Sequence, residues 1–269
     1  MRRLSGDDEV FDRLIREEDA IPFNLLYLIR EDQNALLLTD DAGCIVAQTN
    51  EKTPLWLYLA GEPADSLRRE LVELISERLR CCPTLKVNAQ ERFAGNVLRE
   101  AARVSGKALV AGMPMTAYAC YRVSDMTVSG RAVIPREEHC GIAARLLQQM
   151  VLDIEGIRIP DADAERFARN AVGNRNVFLW EAGGEITAMA VIAHRTAKFA
   201  RINTVVTAPE HRGKGYARML VGHISRELLA QGVTPMLYAD ARNPASNRAY
   251  RNTGFVPCGE ITECSFRSE

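Results

Sequence analysis

The spacing of apolar positions along the chain changes between helix and strand periods, which indicates an α/β protein. In the first half, the pattern predicts helices over 1–19, 63–80 and 90–104 and strands over 35–39, 44–49, 55–59, 85–87 and 109–123. The turn 40–43 separates the first two strands. This half supplies the elements of a mixed sheet, but it contains no motif that indicates a chemical function.

A second cycle of elements follows a boundary that is predicted near 124–130. Strands are predicted over 131–134, 177–180, 186–194, 199–207, 236–239 and 261–266, and helices over 135–152, 161–172, 215–231 and 244–253. The order of these elements is helices, then an antiparallel meander, then strand–helix–strand–helix–strand. This order predicts an α/β fold with a mixed, mostly antiparallel sheet flanked by helices. The predicted domains are 1–124 and 130–269.

Composition and charge narrow the classes of partner. The chain of 269 residues has 34 basic and 35 acidic side chains and a net charge of −1, so we expect neither nucleic acid nor a membrane as a partner. No apolar run approaches the roughly 20 residues that span a bilayer, and Met1–Val10 lacks the apolar core of a signal peptide. The seven cysteines are scattered, which predicts reduced thiols, a cytoplasmic location and no metal site.

The segment Val205–Ala217 has the pattern of a phosphate-binding loop. A β-branched strand ends before Pro209, and a strongly amphipathic helix begins near Gly215. The free N–H groups at a helix N-terminus attract anions, and glycines let those groups approach an anion closely. Arg212, Lys214 and Arg218 add positive charge, so the expected ligand is a diphosphate or polyphosphate.

Two commoner phosphate motifs do not fit this loop. Lys214 is not followed by Ser or Thr, so the loop is not the P-loop of nucleotide triphosphatases. Arg218 occupies the position of the third glycine in the dinucleotide-binding fingerprint. Taken alone, the loop could also be a basic turn that only begins a helix.

A second segment, Tyr238–Phe255, carries a candidate acid. Asn243 followed by Pro244 is typical of a helix N-terminus, and Tyr250 lies about two turns further along that helix. Asn243 could instead be only a helix cap, and Tyr250 could only pack against the sheet.

Together the two segments resemble the GNAT superfamily of acyl-CoA N-acyltransferases. The family's loop pattern is Gln or Arg, two residues, Gly, one residue, then Gly or Ala, which here is Arg212 to Ala217. Its downstream Asn, helical Tyr and Gly-Phe stand here as Asn243, Tyr250 and Gly254-Phe255. The match covers 130–269. The chain is similar to bacterial members of the family whose N-terminal half is a degenerate copy of the same fold. The resemblance therefore implies two tandem GNAT-like domains.

The resemblance also implies a co-substrate and roles for individual residues. The co-substrate is acetyl-CoA, and the acceptor is an amine of a small molecule or a peptide. The implied coenzyme-binding residues are Val205, Val206, Thr207, Arg212, Gly213, Lys214, Gly215, Tyr216, Ala217, Arg218 and Asn243. A backbone N–H near Val206 would polarise the thioester carbonyl, and Tyr250 would protonate the departing thiolate as the catalytic acid.

The general base stays unassigned at this point. Some relatives place a Glu five residues before the asparagine, where this chain has Tyr238. Asp240, His194, His211 and a water molecule remain candidates. A non-catalytic acyl-CoA sensor or scaffold and an enzyme that uses aminoacyl-tRNA are the alternative functions, and the near-neutral charge argues against the latter. The sequence leaves the acceptor, the acyl length and the oligomeric state open.

Overall fold

The computed structural model describes residues 1–127 and 129–268, so Val128, within the predicted boundary 124–130, lies outside the described residues. The chain divides into two compact units. The first unit contains residues 1–118, 239–243 and the chain from 257 onward. The second unit contains 119–238 and 244–256.

The first unit begins with ten elements in chain order. Its strands are β1 (Arg2–Arg3), β2 (Leu36–Thr39), β3 (Cys44–Gln48), β4 (Leu55–Leu59), β5 (Lys86–Ala89) and β6 (Lys107–Cys120). Its helices are α1 (Val10–Leu14), α2 (Asn24–Ile29), α3 (Asp65–Cys81) and α4 (Glu91–Val104).

The remaining elements follow along the chain. The strands are β7 (Arg131–Val133), β8 (Val177–Ala182), β9 (Glu185–Arg195), β10 (Phe199–Thr207), β11 (Thr234–Asp240) and β12 (Phe255–Ser268). The helices are α5 (Cys140–Glu155), α6 (Asp161–Gly173), α7 (Tyr216–Ala230) and α8 (Pro244–Thr253). Among the described residues, no helix is both long enough and apolar enough to cross a bilayer.

The sheet of the first unit has the strand order β1-β2-β3-β4-β5-β12-β6. β4 and β5 are parallel, with Leu55 opposite Val87, and α3 connects them. The pairs β1–β2, β2–β3, β3–β4 and β5–β12 are antiparallel. Buried aliphatic side chains of this sheet pack against α3 and α4 and form the core, with Leu57, Leu71 and Leu98 almost fully buried.

The second unit repeats this arrangement. Its strands follow the order β11-β10-β9-β8-β7, and β10 and β11 are parallel with α7 connecting them. One core packs α5 and α6 on β8, β9 and β10, with Leu179, Met189 and Ala168 fully buried. The buried face of α7 includes Leu220 and Ile224. The prediction of an α/β fold with a mixed, mostly antiparallel sheet flanked by helices is confirmed.

The structure corrects three local predictions. A single helix over 1–19 is wrong, because Arg2 and Arg3 pair with β2 and only Val10–Leu14 is α-helical. The helix α2 was not predicted, since its sequence, Asn-Leu-Leu-Tyr-Leu-Ile, is too uniformly apolar to show a period. The last strand begins six residues earlier than predicted, at Phe255 instead of Ile261.

The last strand also bears on the predicted domains. The division into 1–124 and 130–269 assigns β12 to the second domain. In the structure, Thr262–Ser265 pair with Lys86–Ala89 of β5, and the chain from 257 onward groups with the first unit. The hydrophobic pattern identifies a strand, but it does not identify the strand's partner.

Candidate active site

An irregularity in β10 lies within the predicted coenzyme strand. Asn203 pairs with Val191 of β9 and Val206 pairs with Met189, so β10 has one residue more than β9 over this stretch. Thr204 lies in this bulge with a φ of 50°, a conformation that a β-branched residue rarely adopts. The bulge changes the direction of the backbone just before Val205–Thr207.

The parallel ladder between β10 and β11 is short. It joins Phe199–Arg201 to Thr234–Met236, and no further β10–β11 pair follows in the described residues. The edge of Val205–Thr207 on the β11 side therefore carries no ladder, although β11 continues to Asp240. An extended ligand can add to such an edge as an extra strand.

The loop between β10 and α7 presents a series of free backbone donors. The Arg212 N–H donates to the Pro209 carbonyl at 3.3 Å, and the Met219 N–H donates to the Gly215 carbonyl at 3.1 Å. Between these two bonds, the N–H groups of 213–218 have no acceptor in the part of the chain that the structure describes. Consecutive free N–H groups at a helix N-terminus form a site for an anion.

One charged side chain of the loop is held by a histidine. The ring of His211 lies between two partners, with Nε2 at 3.0 Å from Glu185 Oε2 and Nδ1 at 3.5 Å from Lys214 Nζ. His211 thus orients Lys214 at the loop.

The arginines of the loop have different surroundings. Arg212 donates from Nη2 to Asp153 Oδ2 of α5 at 2.5 Å and from Nε to the Thr207 carbonyl at 3.3 Å. Gln149 donates to the other oxygen of Asp153 at 2.8 Å. Nε of Arg218 is buried and has no hydrogen-bond partner among the described residues. A ligand anion would supply the acceptor that Arg218 lacks.

Tyr250 lies on α8, which packs against α7 in the same unit. Its half-buried ring contacts Phe255 edge-on, with 6.1 Å between the ring centroids. Burial raises the pKa of Tyr250 to about 12. The phenol therefore keeps its proton at neutral pH, as a proton donor must.

The Gly-Phe pair after α8 has a steric origin. Gly254 adopts a φ of 110°, and a Cβ at this position would collide with the Arg122 carbonyl. The Ser124 N–H donates to the Thr253 carbonyl at 2.9 Å and fixes the same junction. Only glycine fits here, so the end of α8 and the position of Phe255 are tightly defined.

The comparisons with known proteins agree with this geometry. Residues 152–255 match the family model described as the Acetyltransferase (GNAT) family. This part of the chain is similar to the acetyltransferases of the GNAT family. No curated protein matches the sequence closely enough to count as a relative.

Several solved structures share the GNAT fold. A GCN5-related N-acetyltransferase from Sphaerobacter thermophilus is 15% identical with a TM-score of 0.64, covering 99% of this chain and 94% of the other. A GNAT-family acetyltransferase from Colwellia psychrerythraea is 15% identical with a TM-score of 0.60, covering 96% and 94%. A tandem GNAT protein from the clavulanic acid biosynthesis pathway is 12% identical with a TM-score of 0.53, covering 99% and 98%. At these identities the likeness shows the fold, and it confirms two tandem GNAT-like domains.

The second unit thus brings together most residues of the predicted GNAT site. Val205–Thr207, 212–218 and Tyr250 all belong to it, whereas Asn243 is grouped with the first unit. Asn243 directly precedes α8, and its N–H donates to the Asp240 carbonyl at 2.9 Å. Which of these residues contact a coenzyme stays a prediction.

The candidate bases of the GNAT site are not equivalent. The Asp240 carboxylate accepts from Arg242 at 3.1 and 3.3 Å, and these bonds lower the pKa of Asp240. Burial, with a contribution from the Arg201 charge, lowers the pKa of His194 to about 4. Both are weak bases at neutral pH, so the base stays unassigned.

Among the described residues, no cluster of three or more His, Cys, Asp or Glu side chains could hold a metal ion.

Sequence reasoning missed the bulge at Thr204, the Asp153–Arg212 bond and the Glu185–His211 contact. It also did not single out Arg201, which pairs with His194 across β9 and β10. No local signal marked Arg201, because a polar residue between Ala200 and Ile202 is the ordinary alternation of a half-buried strand.

Proposed function

We propose that the protein is an N-acyltransferase that transfers an acetyl group from acetyl-CoA to a primary amine of a small molecule or peptide. The observation that supports this most is the series of free N–H groups over 213–218, located where β10 ends and α7 begins. A coenzyme A pyrophosphate matches this site in charge, because the free N–H groups follow one another around the positive start of a helix.

The pantetheine arm would lie along the open edge of Val205–Thr207. That edge has no ladder toward β11 among the described pairs, so it can bond to an extended amide chain. A backbone N–H near Val206, just after the bulge, would donate to the thioester carbonyl and stabilise the negative charge that develops on its oxygen. Lys214, Arg218 and Asn243 would contribute further contacts to the coenzyme.

The reaction would be a direct attack within a ternary complex. The amine nitrogen forms a bond to the thioester carbon, and the carbon–sulfur bond then breaks. Tyr250 would donate its proton to the leaving sulfur, and the attacking nitrogen, which is positively charged in the tetrahedral intermediate, would release a proton to water or to a base not yet assigned, which leaves a neutral amide. No covalent acyl-enzyme and no catalytic cysteine are required.

The proposal is tested by release of free thiol from acetyl-CoA in the presence of a panel of primary amines. We expect turnover with at least one amine and saturable binding of acetyl-CoA by calorimetry. Tight binding of acetyl-CoA without turnover on any amine would instead favour a non-catalytic acyl-CoA sensor. Absence of acetyl-CoA binding would overturn both functions.

A further inference from the structure

Arg201 is a half-buried cation at the point where β10 and β11 separate. It forms the last pair of their ladder, opposite Met236, and its neighbours Ala200 and Ile202 are fully buried. Its position is not required by the sheet, because an apolar residue would satisfy the same backbone pairing.

The guanidinium of Arg201 has no anionic partner in the part of the chain that the structure describes. Its Nε is buried without a hydrogen-bond acceptor, and no carboxylate lies within ion-pair distance. Its central carbon is 5.9 Å from the ring centroid of Tyr238, so the contact that it does make is with an aromatic face. A cation–π contact of this kind does not neutralise the charge.

The neighbouring titratable groups are neutral at pH 7. His194 lies opposite Arg201 on β9, and burial together with the Arg201 charge lowers the pKa of His194 to about 4. Burial raises the pKa of Tyr238 well above its usual value. Burial also lowers the pKa of Arg201, which remains protonated because guanidinium is so basic. The cluster therefore carries one uncompensated positive charge.

A partly buried cation without a counter-ion is costly, and the cost is recovered when an anion binds. The planar fork of a guanidinium matches a carboxylate with two parallel hydrogen bonds. One positive charge balances one carboxylate, whereas a phosphate monoester brings close to two negative charges. A carboxylate is therefore the better match.

We infer that Arg201 binds the carboxylate of the acceptor, so that the acceptor is an amino acid or another small amine that also carries a carboxylate. This inference rests on the proposed function. Arg201 lies four residues before Val205, at which the predicted coenzyme strand begins, and the bulge at Thr204 keeps their separation below the roughly 13 Å of a fully extended chain. The arginine side chain covers part of this distance. An acceptor of a few carbon atoms can therefore reach from the guanidinium to the thioester.

The experiment compares each standard amino acid with its carboxamide as acceptor, for the wild type, Arg201→Gln and Arg201→Lys. In the wild type we expect the acid form of the preferred acceptor to have a kcat/KM roughly 10- to 100-fold above that of its amide. Arg201→Gln should abolish this preference and leave the KM for acetyl-CoA within about threefold. Arg201→Lys keeps the charge without the fork and should retain part of the preference.

Arg195→Gln is the matched control, because Arg195 is exposed at the end of β9, and it should change neither parameter. Melting temperatures of all variants show whether they fold. O-phosphoethanolamine is included as an acceptor, and a preference for it over amino acids would overturn the choice of carboxylate.

Two outcomes separate the inference from the proposed function. If amines are acetylated but the acid form has no advantage, or the advantage survives Arg201→Gln, the inference is wrong and the acyltransferase function stands. A KM for acetyl-CoA that rises strongly in Arg201→Gln, with acceptor preference unchanged, would assign Arg201 to the coenzyme instead. Binding of the amino acids by thermal shift needs no turnover, and failure of all of them to bind the wild type would overturn the inference even for a sensor.

Discussion

Gly213 and Gly215 both adopt left-handed backbone conformations, with φ angles of 77° and 83°, on either side of Lys214. When residues with a left-handed backbone alternate with a residue that has a negative φ, their successive N–H groups point toward a common position. The glycines thus give the loop the backbone geometry that the predicted anion site requires, before any side-chain charge is considered. Since a non-glycine residue is strained in this region, the geometry and the residue type are linked.

Gly215→Asp should weaken acetyl-CoA binding by at least about tenfold, because a carboxylate would lie beside the expected pyrophosphate. The backbone strain should lower the free energy of unfolding by about 1–3 kcal/mol without preventing folding. Calorimetry with acetyl-CoA measures the first effect, and urea unfolding measures the second.

Gly232→Asp is the matched control for this substitution. Gly232 follows the other end of α7, is exposed, has a φ of 73°, and has open space around a Cβ. It should show a similar loss of stability and unchanged affinity for acetyl-CoA. Equal loss of affinity in the two variants would show that the Gly215 effect comes from α7 as a whole.

Tyr250→Phe should lower kcat by roughly ten- to a thousandfold and leave acetyl-CoA binding nearly unchanged, since the ring is kept and only the acidic proton is lost. The phenol's raised pKa of about 12 means that deprotonation of Tyr250 should not limit the rate at any pH below about 11. The measurement is kcat against pH for both proteins, with their melting temperatures. A destabilised but fully active variant would assign Tyr250 a purely structural role.

His194 should make the protein acid-sensitive over a defined range. Its pKa is near 6.5 when unfolded and about 4 in the fold, so the unfolded state takes up the proton first as the pH falls. The stability that this difference contributes is fully present above pH 6.5 and is lost between about 6.5 and 4, by up to roughly 3 kcal/mol.

His194→Gln should flatten this part of the stability profile, measured as the free energy of unfolding in urea from pH 7 to pH 4. His223→Gln is the control, because His223 is a partly exposed residue of α7 next to Glu227. If both variants keep the wild-type slope between pH 6.5 and 4, other groups cause the acid sensitivity.

Thr204→Gly should raise the free energy of unfolding by about 1 kcal/mol relative to Thr204→Ala, because glycine relieves the strain at φ 50° and alanine keeps it. Both substitutions remove the hydroxyl, which donates to Asn203 Oδ1 at 3.2 Å. The difference between their free energies of unfolding therefore measures the backbone strain alone. Chemical unfolding of the two variants provides the measurement. An alanine variant that is as stable as the glycine variant would mean that the bulge is unstrained.

Much of the local structure around the candidate site could be predicted because its signals are local. A β-branched strand, a proline, two glycines and an amphipathic helix within Val205–Ala217 define a strand, a tight loop and a helix N-terminus, and the structure contains all three. The same holds for α8, whose predicted bounds 244–253 agree with the structure. Residues a few positions apart are sufficient for such predictions, because helix and turn geometry fix their relative positions.

What the sequence alone did not provide depends on distant residues. The pattern of β12 predicts a strand, but its place beside β5 follows from which open edge is available, and many alternating edges fit equally well. The bulge at Thr204 depends on the register of β10 against β9. The contact between Arg201 and Tyr238 depends on β10 lying beside β11. The sequence by itself therefore determined most of the elements, including the strand, loop and helix start of the predicted phosphate loop, since local spacing encodes them. Only the tertiary structure decided the strand partners, the strained residue and the unpaired arginine, because each arises from contacts between segments that are remote in the chain.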